Sequence, residues 1–162
     1  MAASWLQAMS CQQIATRLAS SFDFLTTPLR NMPERHRSLR TLFEKTWRLL
    51  AADEQAVLMR LALFHGGFDV DAAIAVADAT WPVLAGLADK SLLRVAASGR
   101  YDLHELWRQY GTDKLAKAGE LHNTTLRHLA YFVQLAEAGE IHAYGRAQVT
   151  WYDRLEMEMD NL

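Results

Sequence analysis

The chain has 162 residues, of which 51% are hydrophobic and 22% are charged, and its net charge is −2. This composition is typical of a globular protein with one or two small domains, and it argues against nucleic acid as the main partner. The single cysteine, Cys11, excludes an internal disulfide and a cysteine-rich metal site, and no apolar run reaches the roughly 20 residues of a membrane span, so a cytoplasmic protein without membrane contact is expected.

The first third of the chain is predicted to hold two helices separated by a break. Ser10, followed three residues later by a glutamine, is the pattern of a capping box and starts a helix at about 11–21. Pro28 and Pro33 then deny the backbone two hydrogen-bond donors, which predicts a break. A long amphipathic helix is predicted to follow over about 36–50.

The central part of the chain is predicted to contain three short helices, at about 54–64, 71–78 and 81–90. Asp53, Asp69 and Thr80 precede them and are residue types that cap helix N-termini. The pair Gly66-Gly67 is expected to end the first of the three, because glycine readily adopts the left-handed conformation that closes a helix.

A short β-hairpin that leads directly into a helix is predicted next. Two strands, at about 92–95 and 100–103, are joined by a turn at Ala97-Ser98-Gly99. A helix over about 104–118 follows, and two more are predicted at about 121–138 and 147–160, separated by Gly139 and Gly145. The fold class expected is mainly α: a winged-helix domain with a small β-hairpin, flanked by helical segments.

Four segments, in this order and at this spacing, carry a resemblance to a known family. They are Pro33–Arg40, Leu58–Phe68, Leu87–Leu93 and Tyr101–Tyr110. Together they resemble a run found in bacterial signal-transduction NTPases of the STAND class, which have an NB-ARC-like core. Each segment alone is only moderately specific, but the resemblance covers residues 3–162.

The resemblance implies three domains and a regulatory role. Residues 1–50 would end the helical lid domain, residues 51–118 would form the winged-helix domain, and residues 119–162 would form a helical linker into tetratricopeptide repeats. Family members include transcription regulators that respond to an effector. By this resemblance the chain would sense bound ADP or ATP and couple the nucleotide core to a repeat sensor, with hinges near 26–35 and 119–121.

Catalysis is not expected from the chain itself. No G-x-x-x-x-G-K-[ST] segment is present, so there is no lysine for phosphates and no hydroxyl for Mg²⁺. The chain is therefore expected to be a piece of a larger ATPase that begins just past the nucleotide core. ADP or ATP with Mg²⁺ would belong to that parent, and the partners expected are the parent's own nucleotide-binding core and repeat domain.

His104 is the one candidate cofactor-binding residue. Leu103-His104-Glu105-Leu106 resembles the family's Met-His-Asp motif, which implies that His104 contacts the β-phosphate of ADP, while Glu105 replaces the aspartate and is given no ligand role. The physical basis is that a helix N-terminus favours anions and that an imidazole can donate a hydrogen bond to phosphate. The alternative interpretation is a histidine that only caps the helix or packs under the wing.

Several further hypotheses remain open on the residues alone. The cluster Arg35, Arg37 and Arg40 either contacts an acidic partner or forms a solvated basic face. Apolar faces on 11–22 and 121–138 predict self-association. A protein-interaction scaffold is the main alternative function. DNA binding is disfavoured, because the helix at about 81–90 carries few of the side chains that read bases. The remaining histidines lack the spacing of a metal site.

Overall fold

The computed structural model describes residues 37–142 and 144–162. These residues form seven helices and two strands, in agreement with the predicted mainly α class. In chain order they are α1 (Arg37–Arg48), α2 (Ala52–Leu61), α3 (Val70–Ala77), α4 (Trp81–Asp89), β1 (Leu93–Val95), β2 (Tyr101–Leu103), α5 (Glu105–Lys117), α6 (Leu121–His142) and α7 (Gln148–Met157).

The chain divides into two compact units between Leu50 and Ala51. In the first, α1 lies within the helix predicted at about 36–50, whereas the predicted helix at about 11–21 and the proline break lie outside the described residues. The second unit extends from Ala51 to Leu162. The assignment of 1–50, 51–118 and 119–162 to a lid domain, a winged-helix domain and a linker into repeats stays a prediction.

The second unit contains the predicted winged helix. Three helices, α2 to α4, precede the antiparallel pair β1–β2, which is aligned so that Leu93 faces Leu103 and Val95 faces Tyr101. A third segment joins this ladder, since the backbone N–H of Phe68 donates to the carbonyl of Tyr101 at 2.9 Å and the reverse bond is 2.8 Å long. The hairpin is thereby tied to the segment before α3.

The observed caps of α2 to α4 differ in part from the predicted ones. Asp69 caps α3 as predicted, with its Oδ1 accepting from the N–H of Ala72 at 2.7 Å. Asp53 does not cap α2, because the helix begins two residues earlier than predicted, at Ala52, and the Glu54 carboxylate accepts from the N–H of Ala51 at 3.0 Å. Thr80 occupies the cap position of α4 but makes no side-chain cap hydrogen bond.

Two predicted helix ends are corrected by the structure. α2 ends at Leu61 rather than Phe64. Gly66 and Gly67 lie in the connection between α2 and α3, which passes beside β2. α6 continues through Gly139 to His142, whereas a break was expected at this glycine. A Cβ atom added to Gly139 would lie 2.7 Å from Cδ1 of Leu155, so the glycine allows close packing of α6 and α7.

One apolar core joins the winged helix to α6. Phe64 packs against Phe68 with ring centroids 4.7 Å apart, and it meets Phe132 of α6 edge-on at 6.1 Å. All three phenylalanines are buried. At the crossing of α2 and α5, a Cβ atom on Gly111 would lie 2.8 Å from that of Ala62, which shows how closely the two helices approach.

Polar contacts fasten α6 to the end of α3. Asp78 follows α3 in a left-handed conformation, with φ of +55°, and accepts hydrogen bonds from Arg127 of α6 and Arg60 of α2. These partners lower the pKa of Asp78, with the hydrogen bond from Arg127 as the largest cause. Nη2 of Arg127 also donates to the carbonyl of Ala75 at 2.8 Å. Arg60 binds Glu120 as well, at 2.8 Å.

Among the described residues, no single helix has both the length and the apolarity needed to cross a membrane. α3 and α4 reach the required length only together, and the two helices are bent by 107° at their junction.

Candidate functional site

His104 lies at the junction of β2 and α5, as predicted. It is the N-cap residue of α5, and its Nδ1 accepts a hydrogen bond from the backbone N–H of Leu106 at 3.2 Å. The residue before it, Leu103, is buried, whereas His104 itself is exposed. Leu103 thus anchors the end of the strand in the core while the imidazole stays accessible to solvent.

The hydrogen bond that caps α5 determines the tautomer of a neutral His104 imidazole. A nitrogen that accepts a hydrogen bond carries no proton, so a neutral His104 with this cap holds its proton on Nε2. Helix capping and donation to an external acceptor therefore use different nitrogens. Capping by His104 therefore does not by itself exclude a contact of Nε2 with a phosphate.

The charges beside His104 are mixed. Arg108 donates through Nη1 to Glu105 at 2.8 Å and through Nη2 to the carbonyl of Leu103 at 3.1 Å, and it lies 3.6 Å from Asp102. Two carboxylates and one guanidinium leave an excess of one negative charge. An approaching phosphate would be repelled by Asp102 and Glu105 and attracted by Arg108 and by the amino end of α5.

Two kinds of hydrogen-bond donor at His104 could contact a phosphate group. One imidazole donor and the N–H groups of one helix end can supply a hydrogen bond to a phosphate oxygen. No group of three or more metal-ligating side chains occurs among the described residues.

The helix that would enter DNA in many winged helices carries few charged side chains. α4 spans WPVLAGLAD and carries no arginine or lysine. Lys90, directly after it, donates to the carboxylate of Glu54, which is only 8% exposed. This hydrogen bond is the largest cause of the lowered pKa of Glu54. The nearest cation is thus already paired within the winged helix.

A second polar site, which the sequence interpretation missed, lies on the wing. Arg100 precedes β2 and donates from Nη1 and Nη2 to the two oxygens of Glu158, the second bond being 3.1 Å long. The side chains of Arg100 and Glu158 are 16% and 4% exposed. The hydrogen bonds to Glu158 are the largest cause of the raised pKa of Arg100. A buried charge pair of this kind requires both partners.

Asn161 completes this polar site. Its Oδ1 accepts from the backbone N–H of His65 at 2.7 Å, and its Nδ2 donates to the carbonyl of Gly67 at 2.9 Å and to Glu158 at 2.8 Å. His128 lies close by, with its ring 5.2 Å from that of Phe64, and burial is the main cause of its lowered pKa. No sequence motif marks this site, because its hydrogen bonds between the wing side and Glu158 or Asn161 connect residues 58 or more positions apart.

The predicted basic cluster cannot be placed. Arg35 lies outside the described residues, while Arg37 and Arg40 belong to α1 without described side chains. The hypothesis that this cluster contacts an acidic partner stays a prediction.

Comparison with known proteins finds relatives much longer than this chain. No protein-family model and no solved structure matches it. Proteins of Mycobacterium tuberculosis and Mycobacterium bovis, both described as "Putative HTH-type transcriptional regulator", are 34% identical over 171 residues, covering 99% of this chain and 19% of each relative. An "Uncharacterized protein" of M. tuberculosis is 31% identical over 153 residues, covering 86% of this chain and 39% of that protein. The chain thus spans about a fifth of the length of the relatives named as transcription regulators.

Proposed function

We propose that this chain is the regulatory module of a cytoplasmic signal-transduction ATPase of the STAND class that acts as a transcription regulator. Two findings support the proposal: the second unit contains a winged helix, and the relatives named as regulators are about five times longer than the chain. The nucleotide-binding core, with its ADP or ATP and Mg²⁺, belongs to the rest of the parent protein. The module itself has no catalytic role.

The observation that carries the proposal is the cap geometry of His104. Because Nδ1 accepts from the N–H of Leu106, the Nε2 proton is available to a phosphate oxygen of ADP bound in the core. A nucleotide phosphate supplies the negative charge that the amino end of α5 favours. Arg108 offsets part of the repulsion from Glu105 and Asp102. The winged helix would thus contact the core more strongly when the phosphate is in reach of His104.

Regulation requires two arrangements that differ in this contact. In the ADP state the winged helix is docked on the core through His104, and in the ATP state it is released. α6 and α7 connect the winged helix to a tetratricopeptide-repeat sensor. Because α6 packs on the winged helix through Phe132 and Arg127, we expect α6 to move together with the winged helix rather than about 119–121. The parent's core and repeat domain are the partners of the module.

Two substitutions of His104 in the intact parent protein separate the two roles of the imidazole. His104→Ser keeps a capping oxygen but has no donor that reaches the phosphate, whereas His104→Ala loses both and should also destabilise the module by about 1 kcal/mol. Both variants are expected to release ADP faster, by about tenfold or more for the loss of one charge-assisted bond. The release of a fluorescent ADP analogue measures this rate.

The matched control is His122→Ala, because His122 is also exposed but lies on α6. It should leave ADP release unchanged. An unchanged rate in His104→Ser, together with a destabilised His104→Ala, would contradict nucleotide sensing and support the alternative of a scaffold in which His104 is only a helix cap.

One observation favours the scaffold as a second candidate function. Leu126, Leu129 and Val133 of α6 are 50%, 57% and 45% exposed and share one face of the helix. We infer that this face pairs with the same face of a second copy. An antiparallel pair places Leu126 opposite Val133, and it also places His122 opposite Glu137, so that apolar and polar side chains match.

Self-association of this kind predicts a concentration-dependent dimer. Leu129→Gln, in the middle of the face, should shift the dissociation constant upward by about tenfold or more, since it removes apolar area from the interface centre. Val95→Gln is the control, because Val95 is 56% exposed but lies on the wing. Sedimentation equilibrium measures both variants. A monomer at all concentrations, or an equal shift in both variants, would contradict pairing through α6.

A further inference from the structure

The segment that follows α7, Glu158–Leu162, folds back onto the wing, and we call it the terminal turn. It is closed by backbone hydrogen bonds from the N–H groups of Asn161 and Leu162 to the carbonyl of Glu158, at 2.8 and 3.0 Å. Glu158 and Asn161 are 3% and 8% exposed, whereas Met159 and Leu162 are more than half exposed. The turn therefore buries Glu158 and Asn161, while Asp160 and both apolar residues are exposed.

The surface that receives the terminal turn is formed by the connection 65–67 and by Arg100, and we call it the wing site. It offers a backbone N–H at His65, a backbone carbonyl at Gly67 and the guanidinium of Arg100. Asn161 uses the first two and Glu158 the third. Its donors and acceptors thus match a Glu-x-x-Asn segment group by group.

The shape of the wing site fits the same segment. A Cβ atom added to Gly66 would lie 2.6 Å from Oδ2 of Asp160, so the turn occupies the space that a side chain would take. Gly66 has φ of +69°, which also favours glycine. Backbone and turn are therefore in direct contact along 65–67.

α7 itself is tied to the winged helix by an ion pair of Arg154 with Asp69 at 4.0 Å and by a hydrogen bond from Arg100 to the carbonyl of Met157 at 3.3 Å. None of its own residues is fully buried, and its main neighbour among the described elements is α6, where Leu155 packs on Gly139. The terminal turn adds hydrogen bonds and a buried charge pair. When the turn opens, its hydrogen bonds can be replaced by hydrogen bonds to water. Substitution of one partner of the charge pair has a different effect, because it leaves the other charge buried and unpaired. The attachment of α7 to the wing therefore depends on the polar groups of the turn acting together.

We propose that the terminal turn is a releasable latch: a Glu-x-x-Asn segment held in the wing site, which fixes α7 to the wing when bound and lets α7 detach while the winged-helix core stays folded. The latch is independent of the proposed nucleotide contact of His104. It provides a joint at which the position of whatever follows α7 is coupled to the wing.

Hydrogen exchange of the full chain tests the latch. In Arg100→Ala and Asn161→Ala, backbone amides of 148–162 are expected to exchange about tenfold faster or more. The reason is that these variants lack polar contacts that must be broken when 148–162 opens in the wild-type chain. Amides of α2 and α5 are expected to keep their wild-type rates. The control is Lys117→Ala, which removes an exposed ion pair with Asp113 and should change neither region.

A conservative variant keeps the test decisive. Arg100→Lys retains the charge but not the two-pronged geometry, so exchange should accelerate in the same residues by a smaller factor. Acceleration spread evenly over α2, α5 and α7, including complete unfolding, would show that the turn is part of one cooperative core and would overturn the latch. Unchanged exchange in 148–162 would overturn it as well.

Discussion

Phe68→Ala is expected to lower the free energy of unfolding of this chain by about 3–5 kcal/mol. Phe68 is fully buried, packs against Phe64 at 4.7 Å and stacks on Tyr101 at 6.0 Å between ring centroids. The truncation removes the apolar contacts that join the helical core to the hairpin and leaves a cavity between them. Denaturant unfolding followed by circular dichroism measures the loss.

An exposed aromatic residue provides the control for Phe68. Trp81→Ala removes a larger ring, but Trp81 is 62% exposed, so a change within about 0.5 kcal/mol is expected. Similar losses in the two variants would mean that the described core does not hold the hairpin in place.

Gly67→Ala is expected to cost about 2–5 kcal/mol of unfolding free energy, from two added effects. Gly67 has φ of +88°, where a Cβ atom costs roughly 1–2 kcal/mol. That Cβ atom would also lie 2.8 Å from the backbone carbonyl oxygen of Tyr101, which cannot move without breaking its bond to Phe68, and overpacking costs about 1–3 kcal/mol more. Thermal or denaturant unfolding measures the sum.

Gly99 separates the two effects, because it has the same kind of backbone conformation without the crowding. Its φ is +82°, and a Cβ atom added there would have no neighbour within 4 Å. Gly99→Ala should therefore cost only the roughly 1–2 kcal/mol of conformational strain. Equal losses of unfolding free energy at Gly67 and Gly99 would show that the segment of Phe68, which pairs with β2, shifts to make room for the added Cβ atom.

Local patterns were sufficient to predict most of the elements. Helix periodicity, the cap at Asp69 and the turn at Gly99 are properties of neighbouring residues, so the order of helices and hairpin follows from the sequence. The position of His104 at a helix N-terminus follows for the same reason. Its charged surroundings were less evident, because Arg108 and Asp102 reach it only once strand and helix are folded.

Contacts between distant residues could not be predicted in this way. Arg100 and Glu158 are ordinary charged residues until the fold brings them together and removes them from water. Gly139 is of a residue type that often interrupts a helix. Only the close packing of Leu155 against it explains why the helix continues through this position. In both cases the deciding partner lies in another element, so tertiary packing overrides the local preference.

The way α3 ends has a consequence for how this protein can be divided or recombined. The carbonyl of Ala75 has its side-chain partner in Arg127, which lies 52 positions further along the chain. The left-handed turn at Asp78 caps α3 with its own backbone N–H, and Arg127 adds a partner from a later helix for one more of the last carbonyls. A recombinant piece that stops at residue 118 would leave this carbonyl to water and would expose Phe64. In an exchange of α6 between relatives, an arginine at this position of the incoming helix would preserve the contact with α3.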